Sequence, residues 1–429
     1  MKRREFARQA LLGLGGTVLS TPALAESSPP ALHGPMEVRA AAAEEIAVEA
    51  SPSPAGWKVD LISEKEIIRG WWYPNALFFH DGIILCTLAS GDGKSRLTVY
   101  SEDRGGTWKQ KQAIDRKDGE YLDTLGDGAY LQLADGSMIG VMFHSVVQSI
   151  VAALHQSYQP FIAHVRRAQS PRDLLDGKYV DDFAKVTIPD LAAGFGDDGK
   201  LYTGSVDHGL VELANGDLLL TMYGSFHQDN IPIPYFHHGA VQFRTWVCIS
   251  KDRGKTWSYL ATVASPEASP LPAVAEGYCE PGLLRLDGDN LLMVMRSGGH
   301  PTHEGGAEWF TPLYANFSPD GGATWTPPAA IYKYGVWPRL LKMQDGTIVC
   351  ESGRPGVFLL FSRDGGKSWS HPFVISSLNG RWGHCPSGYS SITEIEPGVL
   401  GIIYDDYLAD APAESAHVIK MALYRIHAR

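Results

Sequence analysis

The sequence predicts an all-β chain, a six-bladed β-propeller of four-stranded antiparallel sheets, with seven blades as the alternative count. Two repeats and one absence predict it. The phrase S-x-D-x-G-x-S/T-W occurs four times, at Ser101–Trp108, Ser250–Trp257, Ser318–Trp325 and Ser362–Trp369. An apolar run that ends in a polar Gly turn occurs six times, at Asn75–Gly82, Ala129–Gly136, Gly209–Gly216, Gly282–Asn290, Arg339–Gly346 and Ser390–Gly398. No long stretch carries a helical period, and only a turn of helix is expected near Ser170–Leu175. Units that recur in this way bury a core only by stacking on their neighbours.

The elements follow in chain order. Met1-Lys2-Arg3-Arg4-Glu5-Phe6 precedes a weakly apolar, Gly-rich stretch and the small residues Ala23-Leu24-Ala25. Residues 1–25 therefore read as a signal of the twin-arginine type, which implies the export machinery as a partner and a periplasmic or secreted protein. The apolar run is too short to span a membrane. Residues 26–56 are rich in Ala, Ser, Pro and Glu and read as a flexible lead-in, and 57–429 as one catalytic β domain. Each of the six apolar runs is expected to be the hairpin joining the first two strands of a blade, and the turns are mostly Asp-Gly or Asn-Gly, which suit two-residue loops. The S-x-D-x-G phrase ends units one, three, four and five. Unit two lacks it, and an insertion is expected at Val146–Gly204. Trp57–Ile62 is strand-like and is expected to supply an outer strand that closes the ring on Val418–Ile426.

Composition narrows the function classes. A net charge of −11 argues against nucleic acid, whose affinity rests on basic contacts to phosphate, and gives no reason for membrane binding. The five cysteines are widely spaced without a C-x-x-C pair and read as small core residues. In each phrase Asp and Gly favour a tight turn, and Trp brings a wedge of apolar surface, so the repeat is structural.

Chemistry is expected where first strands enter the channel. Just upstream of the hairpins stand Trp71, Trp72, Tyr73 and Asn75; Asp123 and Asp127; Asp207 and His208; Tyr278 and Glu280; Trp337 and Arg339; His384 and Tyr389. Second strands add His144, His227, Arg296 and Arg354.

The repeated phrase resembles the Asp-box, or bacterial neuraminidase repeat, of sialidase-like β-propellers, and the resemblance spans roughly residues 65–425. It implies a Tyr nucleophile activated by Glu, an Asp acid/base and three arginines for a sugar carboxylate. Cys279-Glu280-Pro281 is similar to the segment carrying the activating Glu, and Val294-Met295-Arg296 to one arginine segment. Gly353-Arg354 is similar to another, Gly388-Tyr389-Ser390-Ser391 to the nucleophile segment, and Asp92 sits near the acid/base position. The set is chemically coherent. A phenol needs a neighbouring carboxylate to take its proton, and a second acid to protonate the leaving oxygen. Where the family opens with Arg-Ile-Pro, this chain reads Trp72-Tyr73-Pro74, so the first arginine is absent. Arg339 begins another inner strand and offers a substitute.

These readings make the catalytic candidates Tyr389, Glu280, Asp92, His384 and His208. The substrate-binding candidates are Arg296, Arg354, Arg339, Trp72, Tyr73, Asp207, Tyr278, His144 and His227. The expected function is an exo-acting glycoside hydrolase removing a terminal acidic or deoxy sugar from a glycan. Two alternatives stand beside it. A lyase would use His or Tyr389 to take a proton from a uronate, and a non-catalytic propeller would only bind glycan. No cofactor and no metal are expected, because His237-His238 and His300-x-x-His303-Glu304 match no recognised zinc spacing.

Overall fold

Strands dominate because the sequence supplies short apolar runs between Gly-containing turns. In the computed structural model the described residues are 55–90, 95–111, 114–115, 128–142, 161–188, 194–195, 201–202, 204–206, 208–226, 228–233, 241–272, 275–298, 312–354, 356–376, 387–408, 410–412 and 415–428. All fall within one unit, Ala43–Arg429. The expected export signal at 1–25 and nearly all of the expected lead-in at 26–56 lie outside them.

Strand β1 (Trp57–Arg69) leads the chain. The first antiparallel sheet runs β2 (Trp71–Phe78), β3 (Ile84–Ser90), β4 (Ser95–Ser101) and β5 (Lys109–Gln110), with β6 (Ile114–Asp115) also on β4. Next come β7 (Ala129–Gln132), β8 (Met138–Met142), β9 (Phe161–Ala168), helix α1 (Pro171–Leu175) and β10 (Tyr179–Thr187). A small ribbon pairs β11 (Gly194–Phe195) with β12 (Leu201–Tyr202). Then follow β13 (Gly204–Ser205), β14 (Leu210–Glu212), β15 (Leu218–Gly224), β16 (Arg244–Ser250) and β17 (Thr256–Ala264). Two four-stranded sheets succeed them. One is β18 (Cys279–Arg285), β19 (Leu291–Arg296), β20 (Leu313–Ser318) and β21 (Ala329–Tyr332). The other is β22 (Val336–Lys342), β23 (Ile348–Gly353), β24 (Val357–Ser362) and β25 (Phe373–Ser376). The last sheet orders β26 (Ser390–Glu396), β27 (Val399–Tyr407), β28 (His417–Ala428) and β1.

Strand β1 pairs with β28 from Trp57↔Ala428 to Arg69↔Val418. The N-terminal strand thus closes the last sheet, over a longer span than the expected Trp57–Ile62. The sheets differ from six separate four-stranded units in the fifth strand β6, in the β11–β12 ribbon and, most of all, in the middle of the chain. Strands β7–β10 and β13–β17 form a single nine-stranded sheet. Its two antiparallel runs are joined by a parallel contact of β10 with β17, Lys185↔Thr256 to Thr187↔Ser258. Unit two also has more structure than an insertion implies, since β9 and β10 fall inside Val146–Gly204. Helix α1 is the expected turn, capped by the Ser170 side chain, which accepts from Asp173 N.

Among the described residues, apolar clusters join successive strand groups. Ile84 and Cys86 meet Ile403 and Met421, while Leu85 meets Met138 and Leu174. Val165 meets Leu220 and Trp246, Leu219 meets Met293, and Val294 meets Cys350 and Phe358. Val349 and Leu359 meet Leu400 and Trp57. Neighbouring residues of one strand therefore point into two different cores, as the two-residue period of a strand requires. This is why the central strands read as continuous apolar runs, as in β23 (Ile348–Gly353) and β24 (Val357–Ser362), buried at every position.

The repeated phrase folds alike in all four copies. Ser318 Oγ donates to Asp320 Oδ1 at 2.9 Å and accepts from Gly322 N at 2.8 Å. Thr324 donates to the same carboxylate through N at 2.8 Å and Oγ1 at 2.7 Å. Gly321 and Gly322 hold φ of 69° and 90°, and Arg104 and Arg253 accept the first of these positions at 59° and 58°. The Trp residues anchor the turns. Trp108 packs in the cluster of Met421, Trp257 in that of Ile139, Trp325 in that of Leu219 and Trp369 in that of Leu292. Each thus reaches the preceding strand group. Five of the six hairpins are three-residue loops, and the sixth, Pro397-Gly398 between Glu396 and Val399, is of the expected two-residue kind. Gly82 N donates to Phe79 O and Phe79 N to Ile83 O, with Gly82 at φ 86° and Asp81 Oδ1 accepting from Ile83 N. That is a turn of type I followed by a left-handed Gly.

Candidate functional site

Three first strands carry the same irregularity. The β2 register shifts between Trp72 and Asn75, β18 between Cys279 and Gly282, and β22 between Val336 and Arg339. Each shift holds a residue followed by proline: Tyr73-Pro74, Glu280-Pro281 and Trp337-Pro338. Proline lacks an N–H, so the bulge sacrifices no donor to the ladder, and it steers the residue before it away from the helical region. Tyr73, Glu280 and Trp337 sit at φ of 52°, 48° and 49°. Non-glycine residues held there cost about 1–3 kcal/mol each, and such strain gathers at functional sites. The three bulges aim their side chains at one neighbour, Tyr389, which precedes β26.

Tyr389 Oη donates to Glu280 Oε1 at 2.7 Å. The other Glu280 oxygen accepts from Trp337 N at 3.0 Å and lies 3.3 Å from Arg296 Nε. Arg296 also pairs with Glu276 and contacts Cys279 Sγ at 3.3 Å. Around the phenol, Tyr73 meets the ring edge-on at 5.0 Å and Trp337 lies at 4.8 Å. Arg354, at φ 48°, places its guanidinium 5.2 Å from the ring centroid and donates from Nε to Ser387 O at 2.8 Å. Burial and then the adjacent Glu280 charge push the Tyr389 hydroxyl well above its ordinary pKa, against the pull of Arg354 and Arg296. The phenol is therefore neutral at rest. Burial opposes the Arg296 charge, but Glu276 and Glu280 outweigh it and fix the cation.

The backbone beneath Tyr389 is fixed by buried polar groups. Asp405 accepts from Ser387 N at 2.8 Å and from Ser387 Oγ at 2.6 Å, and Ser387 Oγ accepts from Tyr389 N at 3.2 Å. His417 stands 3.4 Å from Asp405 and stacks on Trp72 at 3.6 Å. Gly388, at φ 77°, packs so closely that a Cβ there would lie 2.8 Å from Arg354 Cγ. Deeper in the channel, Arg339 donates to Asn75 and faces Glu351 across the β22–β23 pair. Glu351 is fully buried, accepts from Ser390 Oγ, and burial raises its pKa to about 8.

The structure thus brings Tyr389, Glu280, Arg296, Arg354, Tyr73 and Trp337 to one place. His208 lies beside them. Its Nε2 is 3.0 Å from Pro338 O and its ring is 4.6 Å from Trp337. Burial and the nearby Arg339 charge lower its pKa well below the ordinary value. Trp72 turns onto His417, and Tyr278 is set apart in the core between β16 and β19, donating to Ser269 O at 3.0 Å. Asp92, Asp123, Asp127, His144, Asp207, His227, His237, His238, His300, His303, Glu304 and His384 lie outside the described residues. Glu276, Ser387, Asp405 and His417 escaped the sequence reading. The repeated residue-Pro pair was the available signal for the bulges, and nothing local marks the other four. Cys86, Cys248, Cys279 and Cys350 are buried free thiols. Among the described residues no group of His, Cys, Asp or Glu is arranged to hold a metal ion, and no helix is long and apolar enough to cross a membrane.

Comparison with known proteins bears on the fold. A model of the BNR repeat-like domain matches residues 197–402. A search of curated protein sequences returns no match. Among solved structures, a protein of unknown function from Dyadobacter fermentans superposes with a TM-score of 0.58 at 16% identity, covering 86% of this chain and 99% of that one. The α-L-arabinofuranosidase of Fusarium graminearum, solved with arabinobiose, gives 0.54 at 16% identity, covering 84% and 97%. A Hadza microbial sialidase gives 0.52 at 14% identity, covering 82% of this chain and 65% of that one. At these identities the likeness is one of fold. The strand order, the repeated turn and the matches together assign this chain the fold of the BNR-repeat, sialidase-like β-propeller superfamily.

Proposed function

We propose that the protein is an exo-acting, retaining glycoside hydrolase, built as six blades with the parallel β10–β17 contact bridging the second and third. The observation that carries the reading is the 2.7 Å hydrogen bond from Tyr389 to Glu280. A neutral phenol is a weak nucleophile, and a carboxylate on its proton is the activation it needs. In the first half-reaction Glu280 takes the Tyr389 proton as Oη bonds to the anomeric carbon. The glycosidic bond breaks, and an acid protonates the departing oxygen. In the second half-reaction water attacks the anomeric carbon and gives a proton to that acid, now a base. Tyr389 leaves and regains its proton from Glu280. Asp92 is the candidate for the acid. Arg296 pairs with Glu280 and orients it, and Arg354 stands over the ring where negative charge develops. Fold likeness to a sialidase and an arabinofuranosidase supports sugar-cleaving chemistry without naming the sugar.

A panel of aryl glycosides tests the reading, with absorbance of unsaturated uronate followed in parallel on polysaccharides. Release of aglycone with retention at the anomeric carbon, abolished in Tyr389→Phe, is the expected result. New unsaturation without hydrolysis would establish the lyase instead, and binding without turnover the glycan-binding propeller.

A further inference from the structure

Among the described residues each arginine near Tyr389 already has a partner within the protein, and Arg296 has two carboxylates, which bears on which sugars the site admits. Arg296 lies between Glu276 and Glu280, both largely buried with it. Arg354 donates its Nε to Ser387 O and packs over Tyr389. Arg339 is held by Asn75 and faces Glu351. The place of a further arginine is taken by Trp72, stacked on His417, and Tyr73, edge-on to Tyr389. A sugar carboxylate entering here would meet two carboxylates behind one guanidinium. It would also lose water while facing the charge of that carboxylate pair. Taking such a charge out of water costs several kcal/mol unless it is paired. What the site does present is aromatic surface. Tyr73 and Trp337, both partly exposed, flank the phenol at 5.0 and 4.8 Å.

We propose that the sugar bound against Tyr389 is neutral, a pentose, hexose or deoxyhexose without a carboxylate, gripped by the Tyr73 and Trp337 rings. The inference deepens the hydrolase reading and rests on it for the position of the sugar. It replaces the expectation of an acidic sugar with its uncharged alternative.

The test is a set of aryl glycosides in matched pairs that differ only in hydroxymethyl against carboxylate, with neutral pentosides, deoxyhexosides and a sialoside added. The full chain is expected to turn over its best neutral substrate with kcat/KM about 100-fold above any carboxylate-bearing one, the scale of an unpaired buried charge. That preference should change little with ionic strength. A sialoside or uronide as the best substrate would overturn the inference while leaving the hydrolase reading intact. If nothing is hydrolysed, the hydrolase reading fails, and the sugar class is read from binding. Saturation-transfer NMR then compares neutral and acidic oligosaccharide fractions of a plant polysaccharide digest. Contacts from the neutral fraction that vanish in Trp337→Ala support the inference. Contacts from the acidic fraction, or from neither, refute it.

Discussion

Replacing Glu280 by Gln, beside the control Glu276→Gln, separates proton transfer from charge balance. Both carboxylates pair with Arg296, and both are largely buried. Only Glu280 touches Tyr389, at 2.7 Å. In either variant Arg296 keeps one carboxylate and loses one charge-assisted bond, a loss of about 1.5–3 kcal/mol. Both should therefore melt a few degrees lower, by similar amounts. Their kinetics should diverge. The amide of Glu280→Gln would still accept from Trp337 N but takes no proton, and a general base contributes roughly 100- to 10,000-fold. That is about 2.7–5.5 kcal/mol of activation free energy. Initial rates on the best aryl glycoside should thus fall by at least about 100-fold in Glu280→Gln and stay within about tenfold of the parent in Glu276→Gln. Residual activity of Glu280→Gln should climb toward alkaline pH, because burial, the larger cause of the raised Tyr389 pKa, remains but the Glu280 charge that adds to it is gone and hydroxide can take the proton. Equal losses in the two variants would show that Glu280 acts only as a counter-charge, and the proton-transfer argument would be wrong.

Further predictions follow from the same geometry. Gly388→Ala forces a Cβ to within 2.8 Å of Arg354 Cγ at φ 77°, so it should lower stability by about 1–3 kcal/mol and kcat more than tenfold, seen by denaturant melts and rates. Glu351 has its folded pKa raised by burial from 4.5 to about 8, so its favourable contribution is complete below 4.5 and fades as pH rises to about 8. Glu351→Gln should accordingly gain Tm relative to the parent at alkaline pH more than at acid pH, and an identical pH slope in both proteins would contradict this. Asp103 is held down to about 2, from 3.8, chiefly by hydrogen bonds from Thr107. Burial opposes the charge of Asp364, but hydrogen bonds from Ser368 and Ser362 outweigh it and hold that carboxyl at about 2 as well. Their contribution is present above 3.8 and lost as pH falls to about 2, so acid unfolding followed by tryptophan fluorescence should shift upward in pH in Asp364→Asn.

The sheets were legible because their causes are local. Ile348-Val349-Cys350 reads as a central strand because both faces of it are buried, and Ser318–Trp325 reads as a turn because Asp320 satisfies its own neighbours. The parallel β10–β17 contact was not legible, since it depends on two outer strands meeting across separate runs. At the site, Tyr389, Glu280 and the two flanking arginines could be named from their segments. Glu276 could not, because its role arises only from the position of Arg296, 20 residues along the chain. Asp405 and His417 are equally silent in sequence, as their meaning comes from Ser387 and Trp72, which they meet only in the folded chain.

By itself the sequence determined the repeating unit, the hairpins and the turns, because hydrogen bonding within eight residues and a two-residue period specify them. It also put Trp72 and Tyr73 ahead of Pro74. Only the tertiary structure decided where those two rings pack and which partners hold the arginines. Those are properties of side chains brought together from different blades, where burial and competing carboxylates set the charge that a substrate meets.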